Sequence, residues 1–206
     1  MQTFKSPLRY LAAAVGFTVA ATFGGCVMIP YETPEAKTQI QHDLKLEPSD
    51  IQAVSETNWC FHPYGSEASC KATQGLGVLT SKGLILSLYS DHTYTEVTRI
   101  LPEQVQCVKT AAGRTGVEPF MVFTEDKAIM LAAITPGGQL NVPVKLKFFD
   151  YLASRGQHVF TGSEGSFVRK TDRQQTVGGV VSGTTVPWHA TLDVWEVVNP
   201  CPQVKD

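Results

Sequence analysis

Residues 77–89 read GVLTSKGLILSLY, and this stretch decides the fold class. Gly77 to Thr80 and Leu84 to Tyr89 are apolar and β-branched runs on either side of Ser81-Lys82-Gly83. They predict two strands around a tight turn in which Gly83 tolerates a positive φ. Leu84, Leu86 and Leu88 alternate, which predicts one face turned to a core.

Working outward, Tyr94 to Ile100, Gln104 to Thr110, Phe120 to Phe123 and Ala128 to Leu131 predict further short strands. Thr124-Glu125-Asp126-Lys127 is a polar connection suited to a hairpin. Six strands in succession with no helix between them exclude a parallel βαβ architecture. One amphipathic helix is predicted from about Val144 to Arg155. Pro143 sits at its start, Phe148, Phe149 and Leu152 fall near helical spacing, and Gly156 is a left-handed stop. Further upstream, Ile51 and Val54 fit either a helical turn or the start of a strand, and Trp59-Cys60-Phe61 reads as core. Past the helix, Phe167-Val168 and Val180-Val181 predict a hairpin extending the sheet with Arg173-Gln174-Gln175 at its tip. Thr191 to Val198 predicts a last strand.

The run GVLT, the turn KG, the strand LILSLY, then RILPEQVQCVK, the TEDKA hairpin and the helix KLKFFDYLASRG together resemble a pleckstrin-homology-like domain of the bacterial or GRAM kind. The resemblance covers residues 75–156. It implies a mainly β (α+β) fold, an antiparallel barrel or sandwich closed by one C-terminal amphipathic helix, here with an additional C-terminal β segment. Such domains usually bind or position something, and the matched pattern here contains no invariant catalytic residue.

At the N-terminus, Lys5 and Arg9 precede an apolar run from Leu11 to Phe23. That run is shorter than the roughly 20 residues a spanning helix needs, so it reads as a targeting signal. Phe23-Gly24-Gly25-Cys26 resembles the lipobox of bacterial lipoproteins, which implies cleavage before Cys26 and acylation of its sulfur; the Phe departs from the usual Leu. Ordinary signal cleavage after Ala21 is the alternative. The five cysteines favour the lipobox, because a lipid-bearing Cys26 leaves an even set, Cys60, Cys70, Cys107 and Cys201, in an oxidising compartment. These four allow three pairings. Cys60 with Cys70 is expected because the pair brackets a turn, and Cys107 with Cys201 because it ties the terminus to a sheet strand. The resulting organisation is a signal over 1–25, a tether over 26–45 and a single β-rich domain over 46–206. Val27 follows Cys26 where Asp would imply retention at the inner membrane, so the outer membrane, facing the periplasm of a bacterial cell envelope, is the expected location.

Removing Lys5 and Arg9 from the 17 cations leaves 15 against 19 acids, a net charge of about −4. A nucleic-acid surface would need a basic excess, so no nucleic-acid partner is expected. His42, His62, His92, His158 and His189 show no helical ligand spacing, and exported cysteines pair, so neither a metal nor another cofactor is expected. Gly162-Ser163-Glu164-Gly165-Ser166 lacks the Gly-x-Ser-x-Gly frame of a nucleophile elbow, and Ser90-Asp91-His92 is only adjacent in sequence, which is no triad. No catalytic residue is assigned. Trp188 and Trp195 fit a ligand cleft or a core, and a valine-rich strand favours core. Arg169, Lys170 and Arg173 form a basic trio, diluted by Asp172, and are the candidate contact for an envelope protein partner. The functional expectation is a lipid-anchored binding or scaffolding module, with an envelope hydrolase and a purely structural outer-membrane lipoprotein as alternatives.

Overall fold

The computed structural model describes residues 29–180 and 187–202. Helix α1 spans Pro34–Leu44, and a 3-10 turn at Pro48–Asp50 leads into β1 (Ile51–Pro63), so Ile51 and Val54 open a strand and the helical turn ends just before them. There follow β2 (Thr73–Thr80), β3 (Gly83–Ser90), β4 (Thr93–Ile100), a 3-10 turn at Pro102–Gln104, β5 (Cys107–Thr110), β6 (Phe120–Phe123) and β7 (Lys127–Ile134). Helix α2 (Val142–Leu152), β8 (His158–Thr161), β9 (Val168–Val180) and β10 (Pro187–Val197) complete the described chain.

The fold is mainly β. Eight strands form one mixed sheet in the order β4-β3-β2-β1-β7-β6-β5-β8, and β9 and β10 form a separate two-stranded ribbon. All neighbours in the large sheet are antiparallel except β5 and β8. That parallel edge arises because α2 carries the chain back across the sheet before β8, as a parallel pairing requires. The end strands β4 and β8 are not paired, so the sheet folds over as a sandwich and does not close into a barrel.

Strand β1 is the hub. Its residues Ile51 to Trp59 pair with β2 and Glu56 to Pro63 pair with β7. Alternation along the strands then sorts side chains into separate cores. Trp59, Leu84, Leu86, Ile100, Val108, Phe120, Val122, Ile129 and Leu131 share one cluster with Phe148, Phe149 and Leu152 of α2. Strands from both ends of the sheet therefore meet over one helix. Gly77 makes room for it: a β-carbon there would lie 2.5 Å from Thr57 Oγ1 and 2.9 Å from Phe148 Cε2. The Asn141 side chain caps α2 by accepting from the Val144 N–H, while its amide donates to Ser55 Oγ on β1. Leu88 departs from the expected core face at 39% exposed, next to a bulge in the β3–β4 pairing at which β4 carries the extra residue Val97.

The outer faces of the two halves are covered by the first and last described segments. Residues 29–45 belong to the folded body, which corrects the tether expected there. Thr33 Oγ1 accepts from the Ala36 N–H at 3.2 Å, Pro34 opens the helix, and Lys45 closes it in the left-handed region at φ 54°. Ala36, Ile40 and Leu44 recur every fourth residue and are buried, with Ile40 fully so. Ile40 and Leu44 pack with Ile29, Tyr31, Leu76, Val78, Ile85 and Tyr94 on the back of β2–β4. Asp43 Oδ2 accepts the Tyr94 N–H at 3.0 Å and pins α1 to β4. On the other half, Cys107, Met121, Phe123 and Ala128 pack against Val197 and Cys201, with Phe160 and Phe167 at the margin.

The hairpin expected within residues 157–187 is corrected as well. Arg173-Gln174-Gln175 lies inside β9, with Gln174 opposite Asp193 and Gln175 opposite Leu192. No turn-forming backbone interrupts β9, since neither Gly178 nor Gly179 has a positive φ. The strand therefore runs on to Val180, and its partner is the predicted last strand, with residues 181–186 between them. Val181 of the expected hairpin lies outside the described residues. The ribbon stands apart from the main sheet and does not extend it.

Candidate functional site

Cys26 and the whole signal-like segment lie outside the described residues. Among the described residues no helix is long and apolar enough to cross a membrane. The other four cysteines stand in the expected pairs, with Cα–Cα separations of 6.2 Å for Cys60–Cys70 and 5.6 Å for Cys107–Cys201. The second pair closes 94 residues of sequence and holds the ribbon's C-terminal root against β5.

The ribbon β9–β10 is the most distinctive surface. Its root is fixed: Val197 is fully buried, the Val198 N–H donates to Phe167 O at 2.8 Å, and the Ala68 N–H donates to Trp195 O at 3.0 Å. Beyond the root the two strands pair with each other and, among the described residues, with no further strand. Alternation places Trp188, Ala190, Leu192 and Val194 on one face of β10, and the register sets Val177 opposite Ala190 and Gly179 opposite Trp188. The other face presents His189, Thr191 and Asp193. The apolar face is uncovered, with Trp188 at 45% and Leu192 at 51% exposure. Trp195, on the opposite side, is equally open at 46%. Both tryptophans correct the core reading: the alternation is real, but nothing in the described chain packs on it.

The basic trio lies on this ribbon. Arg169 pairs with Glu196 across the strands and Lys170 Nζ reaches Asp193 at 2.7 Å. These are exposed pairs, which stabilise by about 0 to 1 kcal/mol at most. Arg173 is exposed and takes part in no ion pair among the described residues. The trio is therefore mostly neutralised, and the apolar strip beside it is what sets this surface apart.

Other candidates resolve differently. Asp91 and His92 both have positive φ and form the turn between β3 and β4, where the His92 carbonyl accepts from Gln39 and its ring meets Tyr89 Oη at 3.3 Å. Gly162 and Gly165 are left-handed turn residues whose loop carbonyls accept from Lys109 Nζ. A cleft of about 360 Å³ lies between the end of β4 and the β6–β7 turn. Its charges are largely matched in place, Arg99 with Glu96 and Lys127 with Asp126. Lys145 is fully buried on α2, donating to Gly116 O at 2.5 Å; burial pushes its pKa down, and the Glu118 charge opposes the shift only in part. Sequence spacing also missed one grouping: His62 sits with Cys60 and Cys70, the ligand-capable atoms of all three lying within 4.8 Å of one another.

No protein-family model matches the chain, and no curated protein is significantly similar to it.

Proposed function

We propose that this chain is a lipid-anchored lipoprotein of the bacterial cell envelope, acting as a binding or scaffolding module through its exposed ribbon. The observation that carries the reading is the exposed pair Trp188 and Leu192, flanked by half-buried Ala190 and Val194, on a ribbon rooted in the body by buried Val197 and Cys201. Free strand edges and exposed aromatic side chains are the means by which extended segments and protein partners are recognised. The pleckstrin-homology-like resemblance implies packed antiparallel strands closed by one amphipathic helix in a domain that binds or positions something, and the seating of α2 on the strands' shared core supports that reading. The anchor rests on the lipobox-like FGGC, and the short span from Cys26 to the body at Ile29 would hold the domain close to the bilayer.

Two measurements test this. Palmitate labelling should depend on Cys26 and vanish in Cys26→Ser; labelling that persists refutes the anchor. Crosslinking and pulldown from envelopes should recover a protein partner with the natural chain, and recovery should fall in Trp188→Ser/Leu192→Ser. Recovery unchanged by that double substitution places the contact elsewhere, and no recovery at all favours the purely structural lipoprotein.

A further inference from the structure

Cys60 and His62 are two residues apart on β1, so their side chains leave the same face of the strand. Both are held rigidly, because this part of β1 pairs with β7 through Cys60 opposite Met130 and His62 opposite Ala128. Cys60 is 1% and His62 6% exposed. Cys70 arrives from the irregular segment after β1 and is exposed, with its Sγ 3.3 Å from His62 Nε2. The other ring nitrogen, Nδ1, is buried with no hydrogen-bond partner. A buried imidazole whose only polar neighbour is a sulfur, a weak acceptor, is poorly satisfied. A cation bound at Nε2 would replace the weak sulfur contact of that nitrogen with a strong bond, with Nδ1 keeping the proton.

We propose that Cys60, His62 and Cys70 form a three-ligand site for a soft closed-shell cation, Zn²⁺ or Cu⁺, whenever the Cys60–Cys70 disulfide is reduced. Two thiolates and an imidazole are the donor set such ions select. With metal–sulfur and metal–nitrogen lengths of about 2.3 and 2.0 Å, tetrahedral angles put sulfur about 3.5 Å from nitrogen and about 3.7 Å from the second sulfur. The cluster already lies within 4.8 Å, and only the loop-borne Cys70 has to move, by less than about 2 Å from its bonded position. The disulfide and the metal site are alternatives, since the same two sulfurs serve both.

The reductant is a dithiol. Its thiolate attacks the exposed Cys70 Sγ, the S–S bond breaks, and the Cys60 sulfur leaves as thiolate. The second thiol then displaces Cys70 from the mixed disulfide, so two electrons pass to the protein and the reductant is oxidised to its own disulfide. Cys107 and Cys201 are 0% and 8% exposed and have no histidine within reach of their sulfurs among the described contacts, so they form the internal control.

The test uses the full chain in detergent. Brief treatment with a dithiol, followed by alkylation mapping, should label Cys60 and Cys70 before Cys107 and Cys201. After anaerobic desalting, Zn²⁺ titrated against a chromophoric chelator should bind at one equivalent, and Co²⁺ should give a thiolate-to-metal charge-transfer band. The oxidised protein should show neither. His62→Gln and Cys70→Ser should each weaken Zn²⁺ binding by at least about tenfold, given that even groups supporting a ligand cost about 10- to 100-fold when removed. His62→Gln should still reoxidise to the Cys60–Cys70 disulfide, which shows that its fold is intact. Equal Zn²⁺ binding by reduced and oxidised protein, or by His62→Gln and the natural chain, overturns the proposal. So does a reduced protein that loses its far-ultraviolet dichroism and does not recover it with Zn²⁺.

Discussion

Replacing Ile40 by alanine tests whether the segment before β1 is part of the folded body. Ile40 is fully buried and packs with Leu76, Val78, Ile85 and Tyr94 on the back of the sheet. The substitution removes three carbons, which at about 0.8 kcal/mol per buried CH₂ gives about 2.4 kcal/mol of lost transfer energy. A residual cavity of ~40 Å³ adds ~1 kcal/mol at about 24 cal/mol per Å³. The expected loss is therefore about 3 to 3.5 kcal/mol, or roughly 7 to 13 °C in Tm for a domain of this size. Urea unfolding followed by tryptophan fluorescence reads it through Trp59, which is 1% exposed. A loss below about 0.5 kcal/mol, the level of an ordinary surface substitution, would mean that α1 does not dock and that the segment is a tether after all.

Four further outcomes are expected. Cys107→Ala/Cys201→Ala should destabilise more than Cys60→Ala/Cys70→Ala in chemical unfolding, because chain entropy scales with loop length: about 4.6 kcal/mol for 94 residues of separation against about 2.7 for 10. Gly77→Ala should cost about 1 to 3 kcal/mol by thermal melting, since its new β-carbon meets Thr57 and Phe148 at under 3 Å. Burial lowers the His62 pKa from 6.5, so the unfolded chain takes up the proton first, and Tm should fall as pH drops below about 6.5, with the fall reduced in His62→Gln. Trp188→Ser/Leu192→Ser should leave stability within about 0.5 kcal/mol, because neither side chain packs on the body.

Short apolar or β-branched runs between turn residues made β2, β3, β4, β6 and β7 legible, with a two-residue period only at Leu84 and Leu86 of β3, and the Pro143 start with the Phe148, Phe149 and Leu152 stripe made α2 legible. Helix α1 was not, because its apolar stripe is one residue wide: Ala36, Ile40 and Leu44 among otherwise polar positions. Thr33-Pro34 was the available signal, a capping side chain followed by proline at the first turn. The cluster at His62 escaped for a different reason. Helical spacings of three and four are the wrong test on a strand, where residues two apart share a face, and the third member, Cys70, is brought in by a loop.

The ribbon shows where patterning stops being informative. Alternation along β10 identifies which residues share a face, but not whether anything in the chain covers that face. The outer surfaces of both halves of the sandwich are also apolar, yet each is covered by a flanking segment, α1 on one side and the Val197–Cys201 root on the other. Among the described residues, both of these segments are taken up on the sandwich, and none covers Trp188 and Leu192 on the ribbon. Widely exposed tryptophan and leucine on one continuous strip mark a contact surface, whereas singly scattered apolar residues would not. The Cys107–Cys201 bridge gives this a mechanical sense: it anchors the ribbon at its root against β5, so the strip is held out from the body on a fixed base. Cutting that bridge should therefore weaken partner recovery as well as stability, and a double alanine variant that unfolds more readily yet recovers its partner undiminished would show that the ribbon needs no such base.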